Sequence, residues 1–341
     1  MKIPSFFTDS HIALAHGNGG RLMRELIEAI FARHLSNELL DTRVDAACLP
    51  FGMDSGEIMV TTDGFTVEPL EFPGGNIGSL AVHGTVNDLA VSGATPLYLT
   101  LSAFIEEGLE VALLDRVLAS MAQACQDSHV KVVAGDTKVL RRGQGGGIYF
   151  AMTGIGLRPS HLRLGVDQIR PDDLILLSGS IGDHGTAVLL AREQFGLSGE
   201  LQSDSASVLP ITQALITIPG LRFMRDPTRG GVATVAHEIA AATNTTIRLK
   251  ENPITIADPV RTVCAMLGYD PLYLASEGRV IAVLEPAGAE IALGRLQGLG
   301  YADAAIIGTV VCGRPQVVLE TELGGERILP ELEDDPLPRI C

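Results

Sequence analysis

Tryptophan is absent from this chain of 341 residues, and Phe and Tyr bring the aromatic content to only 4%. Its cores must therefore rest on Val, Ile, Leu and Ala. Positive charge is also scarce: 25 Lys and Arg stand against 41 Asp and Glu, a formal net charge of -16. A field of that sign repels phosphate backbones and anionic headgroups, so neither nucleic acid nor a membrane is expected as a partner. A nucleotide remains compatible if a divalent cation bridges its phosphates to carboxylates. No run of about 18 apolar residues is present to span a bilayer. The start, Met1-Lys2-Ile3-Pro4-Ser5, reaches Asp9 without the apolar stretch of a signal peptide. The cysteines (Cys48, Cys125, Cys264, Cys312 and Cys341) are odd in number and form no CxxC pair, which argues against zinc and against a redox dithiol. The first four are expected to be buried, inert thiols, and a reducing cytoplasm is the expected location. GxSxG, HExxH and a GxGxxG after a strand are all missing, which removes the hydrolase elbow, the zincin and the Rossmann readings.

What remains is a chain that is 46% hydrophobic, with 38 glycines clustered beside charged residues, and long enough for two domains. Helical spacing of Leu22, Leu26 and Ile30 predicts a helix over 21–35. Strands are expected at 58–62, 97–104, 130–134, 148–155, 174–177, 279–284 and 306–311. Helices are expected at 80–91, 111–125, from Gly185 to Phe195 with Gly196 as its stop, and at 232–242. The alternation gives a mixed α/β fold of two sandwich domains, 1–160 and 161–330. A tail follows over 331–341, where acidic residues and two prolines resist regular structure. That tail ends in Cys341 and could extend roughly 35 Å. Taken alone, a frayed terminus is its plainer reading. A thiol on a mobile arm, able to collect a group and deliver it, is the other.

Four carboxylates share one setting, at a strand end or a glycine turn: Asp63-Gly64, Asn87-Asp88, Gly135-Asp136-Thr137-Lys138 and Asp226-Pro227-Thr228. One such Asp is usually a turn former or a cap. Four of them suit a hard cation with phosphates, since Mg²⁺ takes oxygen ligands. Asp88 stands out because an unpaired carboxylate inside an apolar helix is costly. His16-Gly17-Asn18-Gly19-Gly20 precedes a helix and can offer backbone N–H groups to phosphate, although no Gly-Lys-Ser/Thr follows. Asp226-Pro227-Thr228-Arg229-Gly230-Gly231 is a second such turn, with Arg229 as a phosphate partner. Lys138 either neutralises a phosphoryl group or is a solvated lysine. His184, in Gly182-Asp183-His184-Gly185, fits a cleft or a tight turn. Glu277, in Ser276-Glu277-Gly278, fits a proton acceptor or a strand-edge charge.

Together with Pro73-Gly74-Gly75-Asn76-Ile77-Gly78, the run Gly84 to Ala94 around Asn87-Asp88 and the terminal Pro338-Arg339-Ile340-Cys341, these segments resemble the HypE family of hydrogenase maturation proteins. These are carbamoyl dehydratases within the aminoimidazole ribonucleotide synthetase-like superfamily. The resemblance covers essentially the whole chain, and its specific part is the terminal Pro-Arg-Ile-Cys. Ser276, where Asn is more usual, is one departure. The resemblance implies a two-domain fold, with an N-terminal ATP-binding domain whose sheet pairs with that of a second copy in a homodimer. It implies ATP and Mg²⁺ as cofactors. Cys341 would receive a carbamoyl group from a partner carbamoyltransferase. ATP would activate the amide oxygen as a phosphate ester, and its loss would leave an S-cyanate. The cyano group would pass to iron held by a complex of two further maturation proteins. On this footing Gly17, Asn18, Gly19, Gly20, Asp63, Asn87, Asp136, Thr137, Asp226, Thr228 and Arg229 are nucleotide contacts. Asp63, Asp88, Asp136 and Asp226 are metal ligands, and Lys138 contacts the moving phosphate. Glu277 is the first choice of base and His184 the second. Two rival readings stand beside it. One is an ATP-using sibling acting on a small molecule, of the selenophosphate synthetase or thiamine-monophosphate kinase type. The other is a non-catalytic carrier or scaffold.

Overall fold

The structure is a computed structural model that describes residues 7, 9–13, 16, 25–38, 56–192 and 200–332. Gly17, Asn18, Gly19, Gly20, Cys48, the helix stop at Gly196 and Cys341 lie outside the described residues.

Alternating burial along β4 (Thr95–Glu106) marks a strand with one face on a core. It sits inside a four-stranded sheet in the order β1 (Glu57–Phe65), β6 (Ile148–Arg158), β4, β5 (Lys131–Leu140). β4 and β5 run parallel, and the other two pairings are antiparallel. One face of the sheet carries α1 (Ile77–Val91) and α2 (Val111–Asp127). A two-stranded ribbon, β2 (Glu71–Phe72) and β3 (Gly75–Asn76), leads into α1. Asn76 caps the helix by accepting from Gly78 N and Ser79 N, and Ser79 Oγ accepts from Asn76 N in return. The opposite face of the sheet is open. It exposes Ile58 and Val60 and leaves Tyr98, Phe104 and Ile155 half-buried.

The second half forms a seven-stranded sheet. Its order is β13 (Glu326–Leu329), β12 (Gln316–Glu320), β9 (Thr246–Lys250), β11 (Ala305–Val311), β7 (Leu174–Leu177), β10 (Ile281–Leu284), β8 (Leu221–Arg225). Side chains alternate between two cores. Ile175, Ile281 and Val283 face α5 (Gly231–Thr243), whereas Leu176, Ala282 and Leu284 face α4 (Leu209–Leu215) and α7 (Pro286–Gly298). The remaining helices, α3 (Asp183–Ala191) and α6 (Asp258–Leu267), do not stay with that sheet. Their Val188, Leu189, Val260 and Val263 join the core of the first half.

Within the described residues the expected elements are present, with three differences of consequence, while 21–24 and 193–195 of two expected helices lie outside those residues. Asp63 and Gly64 lie within β1 and not beyond its end. β5 runs on to Leu140, because its pairing with β4 continues through Glu106↔Leu140, so Asp136, Thr137 and Lys138 are strand residues and not a turn. The segment expected as an α-helix near Leu26 and Ile30 is π-helical over Ile27–Ala32 before one α-turn, Arg33–Leu35. Of the cysteines expected to be buried, Cys125 and Cys264 are, whereas Cys312 is exposed in the turn between β11 and β12.

Candidate active site

α1 runs from the first sheet toward the second, and its residues 87 and 88 lie where β1, β8 and the 276–278 turn meet. Asp88 is largely buried, and its Oδ2 accepts from Thr61 Oγ1 of β1 at 2.8 Å. Asp226, at the end of β8, is 5% exposed, and Glu277 is 3% exposed. With Asp63 they form one electrostatic unit. Burial holds Glu277 well above the usual carboxylate range, and Asp226, Asp204, Asp63 and Asp88 push it further. Burial and then Asp88 push Asp226 up to about 7, against the pull of its own backbone and of Arg225. Asp88 is raised by burial too, with Thr61 and Arg225 opposing. So much negative charge in a poorly hydrated space favours either protons or a cation.

Beside these groups opens a cavity of about 420 Å³ between the two halves, lined by Met59, Thr61, Asp88, Arg158, Phe223 and Asp226, among others. Among the described residues no three His, Cys, Asp or Glu side chains are arranged to hold a metal by themselves. Mg²⁺ usually takes one or two carboxylates and completes its shell with water and substrate phosphates, and Asp88 and Asp226 are two carboxylates on the cavity wall.

The turn bearing Glu277 is fixed from three sides. Ser276 N donates to Pro227 O at 3.0 Å, and Ser276 Oγ accepts from Gly182 N at 3.0 Å. The serine at this position thus has a defined task. Asp204 accepts from Glu277 N at 3.2 Å and Gly278 N at 3.3 Å. Gly278 has no alternative: a Cβ there would lie 2.0 Å from Asp204 O. The Asp226 segment is held equally closely. Gly231, at φ +60°, starts α5 so near Leu272 O that a Cβ would stand 2.5 Å from it.

The structure gathers Asp63, Asp88, Asp226 and Glu277. Asp136 is a correction to the expected metal set. It follows the row Gly64–Ala151–Ser102–Asp136 across the sheet. That separates it by three strand spacings, roughly 14 Å, from the β1 edge, too far for one cation. It pairs with Lys138 at 3.1 Å, and both are exposed on the open face of the sheet. Thr137, expected as a nucleotide contact, points to the other face and is buried. Asn87, also expected to touch nucleotide, is committed within the protein. Its Nδ2 donates to Ala206 O and Glu277 O, each at 3.0 Å, and its Oδ1 accepts from Val208 N at 2.8 Å. His184 is fully buried, with Nδ1 2.8 Å from Ser203 Oγ and its ring edge-on to Phe72. Thr228 O accepts from Gly231 N in the turn, and Arg229 is exposed beside it.

Sequence reasoning missed Thr61, Arg225 and Asp204. Arg225 directly precedes Asp226 and could have been noticed as the cation nearest the carboxylates. Ser203-Asp204-Ser205 reads as an ordinary polar loop and carries no such signal. The last described residues also bear on the site. Tyr273 Oη donates to Pro330 O at 2.7 Å, and Leu332 lies against Gly230, so the chain departs beside the Asp226–Gly230 turn.

Comparison with known proteins bears on the whole chain. Residues 43–158 match the AIR synthase related protein, N-terminal domain, and residues 170–320 match its C-terminal domain. The carbamoyl dehydratase HypE of Azotobacter vinelandii is 45% identical over 333 residues, 97% of each chain. A crystal structure of the hydrogenase maturation protein HypE in complex with ATP superposes with a TM-score of 0.91, at 42% identity over 96% of this chain and 99% of that one. A HypE–HypF complex contains a chain that matches at a TM-score of 0.78 and 40% identity, covering 92% of this chain and 100% of that one.

Proposed function

The chain belongs to the AIR synthase related family, on its carbamoyl dehydratase HypE branch, and from that membership we propose that it dehydrates an S-carboxamide on Cys341 to an S-cyanate at the expense of ATP, in hydrogenase maturation. The observation that carries this reading is the grouping of Asp88, Asp226 and Glu277, the first two of them lining a cavity, with the chain leaving beside the Asp226–Gly230 turn. Nine residues follow Leu332, and a fully extended chain of that length spans roughly 30 Å.

An amide oxygen is a poor leaving group. Transfer of the γ-phosphoryl group forms a C–O–P bond, releases ADP and takes one proton from nitrogen. Loss of phosphate then breaks the C–O bond, the second nitrogen proton leaves, and Cys–S–C≡N remains. Phosphoryl transfer is mainly positioning and charge neutralisation. Asp88 and Asp226 would hold Mg²⁺, with the charge of Asp63 adding to the negative field around them, and the ion would supply that neutralisation at the phosphates. Arg225 and Arg229 would contact phosphate, as would Gly17, Asn18, Gly19 and Gly20 through their N–H groups. Glu277 is the first choice of base, because its raised pKa makes its carboxylate a stronger proton acceptor than an exposed one. His184, in contact with Ser203, is the second.

The open sheet face is the docking surface for a second copy. It carries Ile58 and Val60, and it also carries Asp136 and Lys138, which a homodimer through this face would place at the subunit boundary, within reach of a nucleotide. In this reading the working division is 1–160 for ATP and dimerisation, 161–330 for the second α/β unit and 331–341 for the carrier arm. A carbamoyltransferase would load the arm, an iron-carrying maturation complex would receive the cyano group, and both encounters would take place in the cytoplasm. No described helix is long and apolar enough to cross a membrane.

Intact-mass measurement tests the reading. The protein is incubated with its carbamoyltransferase, carbamoyl phosphate and ATP, and then with added Mg-ATP. A carbamoyl adduct that loses the mass of one water, and is missing in Cys341→Ala, is the expected result. Failure of any adduct to form on Cys341 would return the arm to a frayed terminus and favour an ATP-using sibling acting on a small molecule.

A further inference from the structure

We propose that Asp204 is the positioning residue of this site, holding the Glu277 turn and the first turn of α3 in one fixed arrangement. The inference rests on the reading of Glu277 as the base. Asp204 has a 2% exposed side chain, and both of its oxygens face donors. Oδ1 accepts from His184 N at 3.1 Å and Glu277 N at 3.2 Å. Oδ2 accepts from Gly278 N at 3.3 Å and lies 3.6 Å from Arg279 Nε. One carboxylate therefore fixes the backbone of both residues that the sequence singles out as proton acceptors. A buried carboxylate is costly unless its lone pairs are met, and here backbone N–H groups and a guanidinium meet them.

The segment that carries Asp204 is itself tied down on both sides. Ser203 N donates to Pro73 O at 2.8 Å, and Ser205 Oγ lies 3.0 Å from His83 Nδ1 of α1. Ser203 Oγ accepts from Ser205 N and contacts the His184 ring. Two and four residues past Asp204, Ala206 O and Val208 N are gripped by Asn87, the neighbour of Asp88. A strap from Ser203 to Val208 thus links the helix bearing one carboxylate of the cluster to the turn bearing another. Displacing Asp204 would free Glu277 to drift. A misplacement of about 1 Å at a reacting group can cost about 100-fold in rate.

The test uses the full-length protein and two readouts. The first is the single-turnover rate of cyano formation on carbamoylated Cys341, with the ATP concentration for half-maximal rate. The second is amide hydrogen exchange in the segment around Glu277 and Gly278. Asp204→Ala should slow turnover by about 100-fold with the ATP requirement changed less than threefold, and exchange in that segment should quicken. Asp204→Asn keeps one acceptor oxygen, so it should fall between Ala and wild type on both readouts. If the Ala variant does not fold, the Asn variant decides by the same criteria. A wild-type rate, or unchanged exchange around Glu277, in a folded Asp204 variant overturns the proposal. If wild-type protein forms no cyano group, the functional reading fails instead, and exchange alone then decides whether Asp204 holds the turn.

Discussion

Replacing Asp226 by Asn should stabilise the ligand-free protein at pH 8 and leave it nearly unchanged near pH 4. Folding buries this carboxyl among others of its kind and lifts it from 3.8 to about 7. The sign follows from proton linkage. The folded state holds its proton more tightly than the unfolded state, so the contribution to stability is complete below pH 3.8 and is lost as pH rises through 7. At about 1.4 kcal/mol per pH unit, the gap corresponds to about 4 kcal/mol as an upper bound. Asn is neutral throughout and nearly isosteric, so it escapes this loss. For a chain of this length the gain amounts to several degrees in Tm, at about 2 °C per kcal/mol. Asp88 and Glu277 titrate together with Asp226, so the measured slope belongs to the set. Thermal and urea melts of both proteins, in EDTA, at pH steps from 4 to 8, provide the measurement. Mg-ATP added at pH 8 should then raise the wild type more than the variant, because a ligand bound only by the folded state stabilises it. The reasoning is refuted if wild-type stability does not fall between pH 4 and pH 8, or if Asp226→Asn is destabilising by the same amount at both ends.

Further outcomes follow from other parts of the structure. Asn87→Ala should lower stability by about 3 kcal/mol, read from the urea midpoint, since it leaves two carbonyls and one N–H without partners in a buried setting. The pair Ile58→Glu and Val60→Glu should convert a dimer to a monomer in sedimentation, with little change in monomer fold, because both side chains are already exposed in one copy. Chelation of Mg²⁺ should leave the carbamoyl adduct on Cys341 intact in the mass spectrum while stopping its loss of water.

The sequence made the architecture legible where physical constraints act locally. Buried α1 follows from its small apolar residues, and the alternation in β4 follows from one sheet face meeting helices. Asp88 was recognisable because a carboxylate in an apolar helix demands a reason. Other assignments depended on pairing. Gly135-Asp136 looks like a turn until β5 is seen to follow β4 for its whole length, and only then does Asp136 fall on the far edge of the sheet. Asn87 looks like a ligand contact because it adjoins Asp88. One step along a helix turns the side chain about 100° away, and it reaches Ala206, Val208 and Glu277 instead. Asp204 was invisible for the same reason: its partners lie 20 and 73 residues away in the chain. Positions whose meaning is set by distant backbone groups leave no mark on the residues beside them.

The grip of Asn87 on the strap and on Glu277 O, together with a core in which α3 and α6 pack against the first half, bears on how turnover is timed. Many nucleotide-using enzymes close two lobes around their substrate and reopen to release product. Here the lobes are joined by hydrogen bonds of the Asn87 amide, so rotation of one half about the other would have to break them. Opening the cleft that way therefore carries the cost of leaving buried polar groups without partners. If Cys341 carries the reacting group as proposed, delivery of that terminal residue to the site and its withdrawal would be the motions left to set the pace.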